Sequence, residues 1–372
     1  MWAFPLITLA FLVAIPLFVW NATNAILSST DGDFGEVVTD PSEPGYLTYV
    51  MATPSHLVLN VDVDGNLTMA TIIALGPNDQ GGSLLILNPN TKLDNEKTLA
   101  SIFSSEGPEQ LERSLKDYLT VGFSSSSTMS AAVWDSYIAP VSPLSIDMNI
   151  EAYERLIEQA LSGGNTECCF FKGGIELQSG NIEQYLNASD NSSGQLRQLR
   201  QELFWQAWME ALSNETDTSS LPGEISSGFG RMVWGLSRGN VVTVQLEKLF
   251  EASGVYIEAE VIREAVLEMI PFPQPSSLGS RTTVRLLDGV GGLDLAGDYS
   301  AGLVGTGAQI LIIGNTPEFG NSTELIYHDD EDAEIVKKFQ EAIGGGEIFF
   351  EPLTDAAVEV TVIIGNDLID RN

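Results

Sequence analysis

Apolar and polar positions along the chain fall into β-like runs interrupted by stretches of helical spacing. His56 to Val63 and Leu67 to Leu75 are predicted strands, and the Gly81-Gly82 turn leads into a third at Ser83 to Leu87. The spacing then lengthens: Leu99, Ile102, Phe103, Leu111, Leu115 and Leu119 share a helical face broken at Gly107-Pro108. Further helices are predicted at Ile150 to Leu161, ended by Gly163-Gly164, at Gln195 to Leu212, and at Ile257 to Ile270. The second of these carries Leu196, Leu199, Leu203, Trp205 and Trp208, a spacing read as core. Pro271, Pro273 and Pro275, then Ser276, Ser277 and Gly279, mark an extended linker. Beyond it strands and helices alternate. Thr283 to Leu287, Gln309 to Ile313, Glu324 to Tyr327 and Val358 to Ile364 read as strands, with helices at Leu293 to Val304 and Glu331 to Ala342.

The N-terminus has a different pattern. Met1 to Trp20 holds no charged residue and is long enough to cross a hydrocarbon core of about 30 Å. A secretory signal cut near Thr23 and Ala25 is the rival reading. The first Lys is Lys92, so the positive-inside rule has nothing to act on. The acids Asp31, Asp33, Glu36, Asp40 and Glu43 follow in a spacer rich in Ser, Gly and Pro. We expect a single-pass cell-membrane protein whose bulk lies outside the cytoplasm.

Composition narrows the choice of partner. The chain has 372 residues with 17 Lys plus Arg against 51 Asp plus Glu, a net charge of -34. So few bases argue against nucleic-acid binding and against a polybasic contact with lipid headgroups. A halophilic source would also give acidity, although only 18% of residues are charged. Cys168 and Cys169 are adjacent, so a disulfide between them would be strained, and they read as small apolar residues. Six Asn-x-Ser/Thr sequons, at Asn21, Asn66, Asn187, Asn191, Asn214 and Asn321, are no more than the abundance of these residues provides.

After the linker, Val284-Arg285-Leu286-Leu287-Asp288-Gly289-Val290-Gly291, Gln309 to Gly314, Glu324 to Tyr327 and Val360 to Gly365 resemble the LytR C-terminal domain. Ile270-Pro271-Phe272-Pro273 is similar to the Pro-Phe-Pro linker of actinobacterial proteins of this type. By their order of elements, residues 45 to about 250 resemble a divergent LytR-CpsA-Psr domain. That family moves glycopolymers from a polyprenyl pyrophosphate carrier onto peptidoglycan. The resemblance implies an α/β architecture: a mixed-sheet α/β sandwich followed by a small α/β domain, with one N-terminal transmembrane helix. The implied layout is an anchor over residues 1–27, a spacer over 28–44 and a LytR-CpsA-Psr-like domain over 45–270. A linker over 271–280 and a C-terminal domain over 281–372 complete it.

A pyrophosphate leaving group needs forked arginines and a carboxylate-held Mg2+. The family's Ser-Ile-Pro-Arg-Asp corresponds here to Leu87-Asn88-Pro89-Asn90-Thr91, with Asn90 for the Arg and Thr91 for the Asp. Its Tyr-x-Arg-x-Arg corresponds to Tyr185-Leu186-Asn187-Ala188-Ser189, with neither arginine. Only Arg-x-x-Arg-Gln is kept, as Arg197, Arg200 and Gln201. A shifted register would admit Arg231 or Arg238. The expected function is therefore envelope assembly by binding polyprenyl-phosphate lipid or glycopolymer through a degenerate catalytic site, with peptidoglycan as a further partner. Candidate phosphate ligands are Arg197, Arg200, Gln201, Asn88 and Asn90; no metal site is expected, and no cofactor unless an active transferase uses Mg2+. The alternatives are that active transferase, or a structural envelope protein that binds no lipid.

Other clusters carry less. His328 to Asp332 lacks the glycine of a calcium loop and suits a helix start. Gly289, Gly291 and Gly292 read as a tight strand-to-helix turn. Ser124 to Ser127 has no His beside it in sequence, so no nucleophile is expected there.

Overall fold

The computed structural model describes residues 38–93, 97–147, 174–188, 195–218, 221–246, 249–251, 254–353 and 356–369. The expected anchor, most of the spacer, the helix at Ile150 to Leu161 and both cysteines lie outside these residues. No helix among the described residues is long and apolar enough to cross a membrane.

The described chain opens with β1 (Leu47–Tyr49), β2 (Ser55–Val61), β3 (Leu67–Leu75) and β4 (Gly82–Leu87). Helices α1 (Leu99–Glu106) and α2 (Pro108–Leu119) follow. The Thr98 hydroxyl caps α1 by accepting from Ser101 N–H, and the break falls at Gly107, whose φ of +88° suits glycine alone. Then come β5 (Ser125–Met129), α3 (Ala131–Ile138), β6 (Leu144–Ile146), β7 (Ile175–Leu177) and α4 (Ile182–Asn187). Next are α5 (Gln195–Ser213), α6 (Gly228–Leu236), β8 (Val241–Thr243), β9 (Leu249–Glu251), β10 (Gly254–Tyr256) and α7 (Ala259–Met269).

These elements form an α/β/α arrangement. A mixed five-stranded sheet runs β5-β2-β3-β4-β8, with β2-β3-β4 antiparallel and both outer strands parallel to their neighbours. β2 and β3 are buried on both faces, which explains why their sequences read as nearly continuous apolar runs. On one face α1, α2 and α7 pack Leu99, Ile102, Leu115 and Val266 against Leu57, Leu59, Ile72 and Leu85. On the other, α3 to α6 pack Trp134, Phe204, Trp205, Trp208 and Phe229 over Val58, Ile73 and Ile86.

The C-terminal elements are β11 (Thr282–Asp288), α8 (Leu295–Asp298), α9 (Ser300–Gly305), β12 (Ala308–Asn315) and β13 (Glu324–Tyr327). They end with α10 (Ala333–Ile343), β14 (Glu347–Phe350), β15 (Val360–Ile364) and α11 (Asn366–Ile369). Their sheet has six strands in the order β1-β12-β11-β15-β13-β14. α9 and α10 pack on one face, with Leu303, Val336 and Phe339 over Val284, Leu286 and Val362. The helix expected at Leu293 to Val304 is two short helices that meet at Tyr299.

Two features differ from the beads-on-a-string layout. β1, expected to open the first unit, instead pairs antiparallel with β12 as an edge of the C-terminal sheet. Gly314 makes this approach possible, since a Cβ there would lie 2.1 Å from the Tyr46 carbonyl oxygen. The proline segment, expected as an extended linker between two units, is sewn down at its start. Thr53 N–H donates to the Phe272 carbonyl (2.8 Å), and Gly122 N–H donates to that of Gln274 (2.7 Å). Arg281 is buried at the seam and donates to Thr120 O on one side and to Val304 O and Ala308 O on the other. Burial lowers its pKa to about 10.

Candidate functional site

The site grows from α5, whose first two turns carry the Arg-x-x-Arg-Gln segment. Nothing in Gln195–Ser213 breaks a helix, and Leu, Gln, Arg, Glu and Ala dominate it. Its inward face presents Gln198, Gln201, Phe204, Trp205, Trp208 and Leu212, all buried. Arg200 joins them at 1% exposure.

These polar groups serve the end of a neighbouring helix. α4 stops at Asn187, and its last carbonyls have no partners within the helix. Arg200 Nε donates to Tyr185 O at 3.3 Å, and its Nη2 donates to Ala188 O. Gln201 Nε2 donates to Leu186 O (3.1 Å) and Thr68 O (3.2 Å). The guanidinium thus lies against the negative end of the helix dipole, which compensates a buried cation that has no carboxylate partner among the described residues. Arg200 and Gln201, expected as phosphate ligands, are committed to the backbone. Arg197, one turn earlier, is half-buried.

Of the three segments singled out by sequence, two meet, and the third begins one residue past Ile86, at the strand end that α5 reaches. Gln198 Nε2 approaches Ile86 O at 3.5 Å, at the end of β4 where Leu87 to Thr91 begins, while Arg200 and Gln201 grip Tyr185 to Ala188. Asn88 is buried and its Oδ1 accepts from Asn90 N–H at 2.9 Å, closing a turn. Asn90 is exposed, and its carbonyl accepts from Val255 N–H (2.9 Å). Thr91 is buried with no partner for its hydroxyl among the described residues. Asn88, Asn90 and Thr91 offer neutral oxygens and no carboxylate, so the donor set does not fit Mg2+.

The two other arginines that a shifted register would bring in are also engaged. Arg231 forks onto Asp79 at 2.8 and 2.9 Å. Arg238 donates to Leu212 O, Glu215 O and Ser237 Oγ, and lies over the Trp234 ring.

Sequence reasoning missed a polar knot beneath the site. Trp134 Nε1 donates to Asn60 Oδ1 at 2.6 Å. Asn60 Nδ2 in turn donates to Thr68 Oγ1 (2.6 Å) and Asn187 Oδ1 (2.8 Å). The only trace in the sequence is an Asn inside the apolar run of β2. The indole N–H groups of Trp205 and Trp208, in the same core, have no acceptor among the described residues.

The serine run needs correcting too. β5 pairs in parallel with β2, so His56 Nδ1 lies 2.7 Å from Ser125 Oγ and Nε2 lies 3.0 Å from Ser127 Oγ. A histidine is beside the serines after all. Burial lowers its pKa to about 4, against a small opposing pull from Glu112. A base so weak and so enclosed does not activate a nucleophile.

Residues 281–368 match the family model of the LytR cell envelope-related transcriptional attenuator, so this unit is a LytR C-terminal domain. No curated protein matches the chain by sequence. Among solved structures, "TagT bound to LIIa-WTA" is 12% identical, covers 66% of this chain and 99% of its own, and has a TM-score of 0.46. "LytR-CPS2A-psr family protein YwtF (TagT) with bound octaprenyl pyrophosphate lipid" is 12% identical over 64% and 95%, with a TM-score of 0.43. TagV of B. subtilis is 13% identical over 59% and 97%, with a TM-score of 0.43.

Proposed function

We propose that the chain is a membrane-anchored, extracytoplasmic protein of envelope assembly, built on a LytR-CpsA-Psr-like domain. In this reading it binds a polyprenyl-phosphate lipid or its glycopolymer and does not transfer the polymer. The observation that carries the reading is that the Arg-x-x-Arg-Gln segment of α5 grips Tyr185 to Ala188 and reaches the end of β4, while neither neighbouring segment carries an arginine, in a chain with a LytR C-terminal domain. Transfer needs positive charge where the pyrophosphate leaves, at several kcal/mol for the set, on the order of 3 per donor. Arg197, half-buried and kept from the family's Arg-x-x-Arg-Gln segment, is the cation we assign to the phosphate, with Asn90 beside the turn as a neutral donor.

The test pairs binding with turnover. The full-length chain in nonionic detergent micelles should bind undecaprenyl phosphate, and with a polyprenyl-pyrophosphate glycan it should release no polyprenyl product with or without Mg2+. Mg2+-dependent release would replace the reading with an active transferase, and lack of binding would leave a structural envelope role. The anchor has its own test: protease added to intact cells should digest residues beyond about Ser28 while the N-terminus stays with the membrane. Release of the whole chain into the medium would mean a cleaved signal.

A further inference from the structure

The C-terminal half of α5 borders a cleft of about 450 Å3 that opens between the helix and the edge strand β8. Gln206, Glu210 and Ser213 line its helix side at i, i+4 and i+7, one stripe roughly 10 Å long at about 1.5 Å per residue. Asn240 and Thr243 line the side across from them. Thr243 pairs with Leu84, and strand alternation turns it and Val241 to the same face of β8, away from the exposed Val242. Leu84, Met209 and Leu236, all buried, give the cleft an apolar floor. Gln206 stands nine residues after Arg197, roughly 14 Å along the helix, so the cleft is separate from the phosphate residues.

The lining selects the ligand. The side chains of Gln206, Glu210, Asn240 and Thr243 make no hydrogen bond among the described residues, so their capacity is open to a guest. No Lys, Arg or His lines the cleft, and Arg238 at its margin is turned to Leu212 O and Glu215 O. With Glu210 in the wall and no cation, the cleft does not suit an anion. An ammonium group would leave the amide N–H groups of Gln206 and Asn240 without an acceptor. Hydroxyl groups both donate and accept, so they satisfy amide, carboxylate and hydroxyl alike, while the C–H face of a sugar ring suits the apolar floor. We propose that this cleft is a binding site for a neutral oligosaccharide.

Gln206 and Glu210 hold the central place in it. Both also line a second cavity, of about 510 Å3, on the β6 side of α5. Each cavity falls within the roughly 300–1,000 Å3 of small-ligand sites. A chain of linked rings that runs from one to the other crosses these two side chains. The site uses no residue assigned to the phosphate, so it stands or falls apart from the lipid reading.

Saturation-transfer NMR titration tests this on the full-length chain in a polyoxyethylene detergent, which has no sugar headgroup to compete. The probes are maltotriose, cellotriose, mannotriose and triacetylchitotriose. The cleft is open to solvent, so binding is weak, with Kd on the order of 1 mM for at least one of the four. Gln206→Ala and Glu210→Ala, at sites too exposed to affect folding, should each weaken that binding about tenfold, the scale of one hydrogen bond to a charged or amide group. Excess inorganic phosphate should not compete. Absence of binding by all four probes up to about 20 mM overturns the proposal. So does binding indifferent to both substitutions, or binding that phosphate displaces, which would seat the saccharide at the other end of α5.

Discussion

Arg197 and Arg200 stand three residues apart on one helix and should respond oppositely to removal. Arg200→Ala would strand the carbonyls of Tyr185 and Ala188 in a buried site. With charged hydrogen bonds worth about 1.5–3 kcal/mol each, a loss of roughly 3 kcal/mol in unfolding free energy is expected by denaturant titration. Arg197→Ala should leave stability almost unchanged and weaken polyprenyl-phosphate binding by one to two powers of ten, from the same scale applied to one phosphate contact. Equal lipid binding by wild type and Arg197→Ala would remove the phosphate role. His56 gives a pH signature. Its pKa is 6.5 when unfolded and about 4 when folded, so the unfolded chain takes the proton first. Its contribution is whole above pH 6.5 and is lost as the pH falls toward 4, by about 3 kcal/mol at 1.4 kcal/mol per unit. Denaturant titrations at pH 7 and pH 4.5 should show this loss in wild type and much less of it in His56→Gln. Parallel losses in the two proteins would assign the acid sensitivity to carboxylates.

The elements legible in the sequence are those with a strong apolar period or firm punctuation. β3, α1 broken from α2 at Gly107-Pro108, and β13 fall within a residue or two of their expected positions. β5 escaped notice because Ser125 to Thr128 has no apolar period; its place is fixed by pairing with β2 and by the His56 hydrogen bonds. Residues 47–49, placed with the first unit by the order of elements, form β1 in the other sheet, because local pattern cannot reveal a partner strand that lies far along the chain. The candidate site was half legible. The three segments could be aligned, but that Arg200 and Gln201 face α4's carbonyls depends on where that helix ends. Gly314→Ala tests the β1 junction directly. Its Cβ would meet the Tyr46 carbonyl oxygen at 2.1 Å and Leu47 Cα at 2.9 Å, so β1 should leave the sheet. Limited proteolysis should then cut between residues 41 and 53 in the variant and spare wild type. An unchanged digest would mean that β12 shifts to accommodate the methyl group.

The whole molecule should behave as one cooperative object despite its two sheets. Leu278 is fully exposed in the Ser276–Ser280 turn and offers a cut site. A single cut there leaves β1 with the first unit while Arg281 still grips Thr120 across the seam. The nicked halves should co-elute from a sizing column under native conditions and separate only in denaturant. Free elution of residues 281–372 would show that the two units are independent. The β1 pairing also bears on how the chain is made. Leu47 lies opposite Gly314, so at about 5–20 residues per second synthesis takes tens of seconds to deliver the strand that β1 needs. Through that interval an uncharged, apolar segment waits beside a five-stranded sheet that can already have closed. The C-terminal sheet is therefore the last part of the protein to be completed. A ribosome halted before residue 308 would hold a nascent chain whose first strand is still open to any passing sheet edge.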